Sequence, residues 1–117
     1  MSSGDRPLQI ELARHDRAVV LTLSGSATMD VCDGLNQRLE DVGRDEPEIL
    51  VIDVTDLDFI CSMGLGSIVA AHLRAQRCGG SVRLAGPTDP IRKLLEVTQL
   101  DKLFPIYDTL AEALAAS

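Results

Sequence analysis

The chain has 117 residues, 45% of them hydrophobic and 25% charged, which is typical of one soluble globular domain that buries a core without metals or disulfides. A net charge of -7, with no lysine and arginine cluster, argues against nucleic acid or anionic lipid as a partner. No apolar stretch approaches the roughly 20 residues that span a bilayer, so we expect no membrane insertion and a cytoplasmic location. We expect one domain over residues 1–117, with its core at about residues 8–115.

The first two elements are predicted to form a β-hairpin. Apolar and polar residues alternate at residues 8–12, and a second apolar run covers residues 18–23. A turn-like segment at residues 15–17 separates them. Residues 25–28 are rich in small residues and are interpreted as a break before the next element.

A helix and a central strand follow. Apolar residues recur at helical spacing from Val31 to Val42, and Gly43 provides a C-terminal stop. Residues 49–54 contain a single charge, Asp53, which fits a strand covered on both faces.

A second helix is predicted from Ser62 to Arg77, ended by Gly79 and Gly80, before a strand at residues 81–85. Together with the preceding strand this makes a βαβ unit, whose crossover should be right-handed.

The C-terminal third predicts two more helices. In the loop at residues 87–90, Thr88 or Asp89 can cap a helix that starts at the second proline. A short apolar piece at residues 104–107 precedes a last helix, where Thr109 has capping-box spacing to a glutamate. The chain is therefore expected to be an α/β protein with a mixed sheet of four to five strands and about four helices.

Ser62 is the most specific candidate site. It stands where the second helix begins, so its hydroxyl can cap that helix. A phosphate on it would meet the unpaired amides and the positive end of the helix dipole. Both a structural cap and a phosphorylation site fit this position. Gly64 and Gly66 lack the spacing and the lysine of a P-loop, which argues against a nucleotide site.

A longer pattern surrounds this serine. Residues 51–66 read Val-Ile-Asp-Val-Thr-Asp-Leu-Asp-Phe-Ile-Cys-Ser-Met-Gly-Leu-Gly. This resembles the signature of the STAS-domain anti-sigma factor antagonists, a hydrophobic strand and then Asp-Ser-Ser/Thr-Gly-Leu-Gly opening a helix. The likeness extends to Leu-Ser-Gly at residues 23–25 and to the closing Glu-Ala-Leu at residues 112–114. It implies a single STAS domain, not an enzyme, with no cofactor and no bound metal.

The resemblance implies phosphorylation at Ser62, the position of the family's acceptor serine. The family aspartate is replaced by Cys61 and the second hydroxyl residue by Met63, and the common Gly-Glu-Leu-Asp reads Gly-Ser-Ala-Thr at residues 25–28. The implied partners are an anti-sigma factor with serine kinase activity and a phosphoserine phosphatase. The residues expected at the partner surface are Gly25, Ser26, Ala27, Thr28, Cys61, Ser62, Met63, Gly64 and Leu65.

Two alternatives stay open. Within the same fold, the protein could be a STAS accessory or scaffold subunit of a signalling or transport complex, in which Ser62 only caps the helix. A thiol-dependent or phosphate-binding enzyme would need a base or clustered donors that no readable motif supplies.

The remaining polar and sulfur residues have structural interpretations. Cys32, Cys61 and Cys78 are an odd number without CxxC spacing, so we expect small, mostly buried side chains, although a helix N-terminus could make Cys61 redox-sensitive. His72 lies on the apolar stripe of its helix and is expected to be structural. For Asp53, Asp56 and Asp58, a solvated loop is favoured over a cation site.

Overall fold

The predicted hairpin is present in the computed structural model, which describes residues 6–116. Strand β1 (Gln9–His15) pairs antiparallel with strand β2 (Ala18–Ala27), in a register that runs from Gln9 opposite Ser24 to His15 opposite Ala18. Asp16 makes the turn with a φ of 53°, a left-handed conformation that aspartate tolerates better than most residues. The hairpin prediction is confirmed.

Helices and parallel strands then alternate to the C-terminus. In chain order the elements are α1 (Cys32–Gly43), β3 (Ile49–Ile60), α2 (Ser62–Arg77), β4 (Ser81–Ala85), α3 (Asp89–Val97), β5 (Ile106–Tyr107) and α4 (Leu110–Ala115). The sheet order is β1-β2-β3-β4-β5, with β2 to β5 parallel. The mixed five-stranded sheet and four helices agree with the predicted α/β fold, and the bounds of α2 and β4 agree with the prediction.

The two faces of the sheet carry unequal cores. Because each crossover from β2 to β5 steps in the same direction, α1, α2 and α3 pack on one face. Their apolar residues, among them Leu39, Ile68 and Leu95, join one large cluster in which these side chains are at most 2% exposed. Helix α4 covers the other face, where Ala113 packs near Val51. The aliphatic composition therefore fills the core as expected.

Strands β2 and β3 are both longer than predicted. The break expected at residues 25–28 is wrong for the first three of these residues, which belong to β2, and the strand expected at residues 49–54 runs on to Ile60. Two shifts in register, the second beside Gly25, let the strands stay paired out to Ala27 opposite Ile60. Gly25 has a φ of 88°, and a Cβ there would lie 2.1 Å from the carbonyl oxygen of Pro7. Only glycine fits this bulge.

The capping predictions have two outcomes. The Thr109 side chain accepts a hydrogen bond from the Glu112 amide at 3.1 Å, as the capping-box spacing indicates. Helix α3 begins at Asp89, one residue earlier than predicted, and Thr88 holds the N-cap position without a side-chain capping bond. Within residues 6–116, no helix is both long and apolar enough to span a membrane.

Candidate functional site

The ends of β2 and β3 meet at the start of helix α2. The amide of Cys61 donates a hydrogen bond to the carbonyl oxygen of Ala27 at 2.9 Å, which ties the residue after β3 to the last residue of β2. The amide of Leu65 donates to the carbonyl oxygen of Cys61 at 3.1 Å and closes the first helical turn. One surface therefore combines the residues that follow β2 with the first residues of α2.

Ser62 is the first residue of α2 and not its cap. The N-cap is Cys61, whose backbone is extended with φ of -80° and ψ of 170°, so the expectation that the serine hydroxyl caps this helix is wrong. Ser62 is exposed. Among the residues that the structure describes, its hydroxyl has no hydrogen-bond partner. The first turn of α2 carries no acidic side chain. The hydroxyl is thus free and lies beside the positive end of the helix dipole.

Most of the residues expected at the partner surface lie inside the protein. Ser26 and Leu65 are 3% and 7% exposed, and Ala27 is fully buried. Gly64 is also buried, and a Cβ there would lie 2.7 Å from a side-chain carbon of Ile60. Gly25, Ser26, Ala27, Gly64 and Leu65 therefore position this surface without forming it. The residues of the expected set that reach solvent are Thr28, Cys61, Ser62 and Met63.

Met29 is an exposed apolar residue that the sequence reasoning missed. Its side chain is 65% exposed directly after Thr28, and Met63, the second residue of α2, is 48% exposed. Flexible methionines of this kind suit a surface that adapts to a partner. A signal was present in the sequence, because Met29 falls outside the apolar stripe that runs through Val31 and Leu35.

An open depression between α1 and α2 adjoins the exposed serine. Its lining residues are Cys32, Asp33, Asn36, Met63, Gly66 and Ser67. Asp33 is exposed at the start of α1, and the hydroxyl of Thr28 bonds to the carboxylate of Asp30. Carboxylates thus reach this surface from α1, although the two acidic family positions at residues 26–28 are missing from this sequence.

Two thiols meet under this surface. The sulfur atoms of Cys32 and Cys61 are 2.8 Å apart, and Cys32 also donates to the carbonyl oxygen of Thr28 at 3.1 Å. Burial and the contact with Cys61 raise the pKa of the Cys32 thiol. Burial works in the same direction at Cys61, but the hydrogen bonds from Cys32 and from the amides of Gly64 and Met63 outweigh it, so the pKa of Cys61 is lowered.

The third cysteine behaves differently. Cys78 is exposed at the far end of α2, so the expectation of mostly buried cysteines is wrong there. Its sulfur lies 3.6 Å from a carboxylate oxygen of Glu46. Partial desolvation and that carboxylate raise the pKa of the Cys78 thiol.

The other candidate residues have structural roles in this fold. His72 is 5% exposed, and its ring meets that of Phe104 edge to face at 5.6 Å between centroids. Asp53 accepts hydrogen bonds from the amide and hydroxyl of Thr55, and Asp58 pairs with Arg6 at 2.6 Å. In the described part of the chain, no three histidine, cysteine or acidic side chains are grouped to hold a metal ion.

Comparison with known families decides the relationship. The model of the STAS domain matches residues 9–113. The chain belongs to the STAS domain family. This confirms the resemblance read from residues 51–66, and the prediction of a non-enzymatic regulatory protein agrees with it.

Two relatives and one solved structure match this STAS domain over nearly their whole lengths. The chain is 30% identical over 108 residues to the anti-sigma F factor antagonist of Paenibacillus polymyxa, covering 92% of each protein. It is 28% identical over 116 residues to the anti-sigma-F factor antagonist RsfB of Mycobacterium tuberculosis, covering 97% of this chain and 92% of RsfB. The crystal structure of an anti-sigma factor antagonist from Mycobacterium paratuberculosis superposes with a TM-score of 0.86 at 31% identity, covering 97% of this chain and 96% of that one.

Proposed function

We propose that this STAS domain is an anti-sigma factor antagonist, which binds an anti-sigma factor and so releases a sigma factor. The relatives that carry this name match the chain over more than nine-tenths of both lengths. The binding surface, called the switch face below, consists of Thr28, Met29, Cys61, Ser62 and Met63. Because sigma factors act on RNA polymerase, this function places the protein in the cytoplasm.

Phosphorylation of Ser62 by the anti-sigma factor, acting as a serine kinase, is proposed to control this binding. The observation that carries the proposal is the exposed Ser62 hydroxyl at the first position of α2, which is not used as the helix cap. A kinase can reach it without unfolding the domain. Buried Ser67, one turn along the same helix, instead bonds to the carbonyl oxygen of Met63 at 3.1 Å.

The phosphate would weaken the complex through charge and desolvation. It adds a charge of about -1.5 to -2 next to the exposed side chain of Met63. An apolar contact with a partner would have to bury that charge, or open and lose contact area. A weakening of about 3 kcal/mol lowers affinity more than 100-fold, enough to move a partner between competitors. A phosphoserine phosphatase would then restore the binding form.

Phosphate transfer followed by mass mapping tests this function. The protein is incubated with ATP and an ATPase-type anti-sigma factor encoded near its gene, and the modified residue is mapped. We expect phosphate on Ser62, none in the Ser62→Ala variant, and unchanged labelling in the control variant Ser67→Ala. Tight binding to the anti-sigma factor without any phosphate on Ser62 would instead support a scaffold subunit.

A further inference from the structure

Cys32 and Cys61 bring two free thiols together from different parts of the chain. Cys32 is the first residue of α1, and Cys61 is the N-cap of α2. Their sulfur atoms are 2.8 Å apart, and a disulfide holds them at about 2.05 Å, so bond formation requires an approach of roughly 0.8 Å. Helix α1 and strand β3 lie between them in sequence, so a bond would link the starts of two helices.

The two thiols are unequal in exposure and acidity. Cys61 is half-buried, whereas Cys32 is 2% exposed. The amides of Gly64 and Met63 point at Cys61, which helps to hold its pKa below the ordinary value, while the pKa of Cys32 is raised by burial. A thiolate is the form that attacks an oxidant. Cys61 is therefore suited to react first and Cys32 to react second.

Solvent reaches Cys61 at its own half-buried surface, and Cys32 borders the depression between α1 and α2. Cys32 and Met63 lie on its wall, and the exposed backbone of Gly66 leaves it open. A small hydroperoxide fits such an opening.

We infer that Cys32 and Cys61 are a site of oxidation by hydroperoxides that closes to an intramolecular disulfide and slows phosphorylation of Ser62. The Cys61 thiolate attacks the terminal peroxide oxygen, the O–O bond breaks, and Cys61 becomes a sulfenic acid, while the released hydroxide, or alkoxide from an alkyl hydroperoxide, takes a proton to form water or an alcohol. The sulfur of Cys32 then attacks that of Cys61. The S–O bond breaks, and the leaving hydroxide takes the Cys32 proton. One hydroperoxide is reduced, and the two thiols lose two electrons.

The effect on phosphorylation rests on the proposed function. Ser62 follows Cys61 directly, so the disulfide would tie the residue before the acceptor to the start of α1. A kinase must seat the Ser62 hydroxyl against ATP, and a local adjustment of the first turn of α2 would ease that placement. A crosslink at the N-cap restrains that adjustment.

The first test maps the crosslink in the Cys78→Ser protein, which removes the exposed third thiol. After treatment with hydrogen peroxide, non-reducing tryptic digestion should yield peptide 18–38 joined to peptide 45–74, because these carry Cys32 and Cys61. Intact mass should fall by two hydrogens and recover with dithiothreitol. Full oxidation to sulfinic acid without this crosslinked peptide would overturn the inference.

The second test separates the roles of the two thiols. With Cys32→Ser in the same background, the sulfenic acid on Cys61 has no neighbouring thiol and should be trapped by dimedone. With Cys61→Ser, Cys32 should stay unlabelled at the same peroxide concentration. Equal dimedone labelling of both variants would contradict the proposed order of attack.

The third test measures phosphate transfer after the peroxide has been removed, so that the kinase is never exposed to it. The oxidised Cys78→Ser protein should be phosphorylated at least tenfold more slowly than the reduced one. Dithiothreitol should restore the rate, and Cys32→Ser should be insensitive to peroxide pretreatment. Equal rates for the crosslinked and reduced proteins would overturn the regulatory step. If the reduced protein accepts no phosphate on Ser62, the proposed function fails, while the mapped crosslink still decides the thiol pair.

Discussion

The two ends of helix α2 are finished in opposite ways. At its C-terminal end, the amide of Gly80 donates to the carbonyl oxygen of Ala75 at 2.8 Å and that of Ser81 to Glu48 at 2.9 Å. At its N-terminal end, the Ser62 hydroxyl and the side chain of Met63 remain exposed. At the C-terminal end, backbone amides are hydrogen-bonded within the chain as it turns into β4. At the N-terminal end, side-chain groups are left exposed to solvent. Internally bonded and exposed groups are thus separated along one helix.

The cysteines at these two ends show the same contrast. Cys61 lies among backbone amides that favour its thiolate, whereas Cys78 lies beside the carboxylate of Glu46, which disfavours it. The more exposed thiol is therefore the less acidic one. For these two thiols, the choice between the N-terminal and the C-terminal end of the helix affects reactivity more than exposure does.

The largest expected effect is on binding at the N-terminal end. We expect Ser62→Asp to weaken binding to the anti-sigma factor by about 3 kcal/mol, more than 100-fold, because a charge replaces a neutral hydroxyl on the switch face. Isothermal titration calorimetry measures this. Asparagine has the shape of aspartate without its charge, so Ser62→Asn should lower the affinity by less than about tenfold, equivalent to 1.4 kcal/mol. Thermal unfolding of the Asp variant should be unchanged or slightly raised, since a negative charge suits a helix N-terminus. Wild-type affinity in Ser62→Asp would contradict the switch.

The next effect is on stability at the C-terminal end. In Gly80→Ala, the new Cβ would lie 2.7 Å from the carbonyl oxygen of Pro47, so we expect a loss of about 1–3 kcal/mol in the free energy of unfolding, measured in urea. Gly34→Ala is the matched control, because a Cβ on that exposed helical glycine meets nothing within 4 Å. It should stabilise the protein by up to about 1 kcal/mol. Equal effects of the two variants would show that this end is not tightly packed.

Truncation of the exposed methionine side chains on the switch face should give intermediate losses of binding affinity. Met29→Ala and Met63→Ala should each weaken anti-sigma binding by about 1–2 kcal/mol through lost apolar contact, with little change in unfolding. Val97→Ala serves as a control, since Val97 is 69% exposed on α3, away from this face. A loss in the control as large as in the methionine variants would place the binding surface elsewhere.

The smallest effect is a difference in pH dependence between two thiols. Because a thiolate forms as the pH rises through the thiol pKa, iodoacetamide should label Cys61 at a lower pH than Cys78. The pH midpoint of Cys61 labelling should lie below the ordinary thiol pKa of about 8.5, and the midpoint of Cys78 labelling should lie above that value. Peptide mass mapping across a pH series measures both midpoints. In denaturant they should converge, and coincident midpoints in the folded protein would contradict the contrast between the two ends.

Local patterns were sufficient to predict most of the fold. The alternation at residues 8–12 and the glycine pair after α2 act over a few residues, so the hairpin and the bounds of α2 could be read from the sequence. The extension of β3 to Ile60 could not. Its outer half contains Asp56 and Asp58, and its pairing with β2 depends on two register shifts that each place one extra residue in β3. Propensity does not contain that long-range information.

The place of Ser62 in the fold was predicted, but the surroundings of this candidate site were not. The family pattern indicated Ser62, and the structure places it at the expected end of the sheet. The burial of Ser26 and Ala27 follows from their place in the extended part of β2, opposite the bulged end of β3, which no local pattern indicates. The contact between Cys32 and Cys61 arises because the amide of Cys61 bonds to the end of β2, and it required the tertiary structure to be seen.

The strand order β1-β2-β3-β4-β5 has a consequence for how the chain folds. Every strand pairs with the strand that precedes it in sequence, so each addition to the sheet closes a loop of only one hairpin or one crossover helix. Loop-closure entropy rises with loop length, and non-local pairings slow folding. This sheet can grow from one edge to the other in chain order without inserting a late strand between two earlier ones. An N-terminal segment emerging during synthesis can therefore begin native pairing before the remaining strands are available.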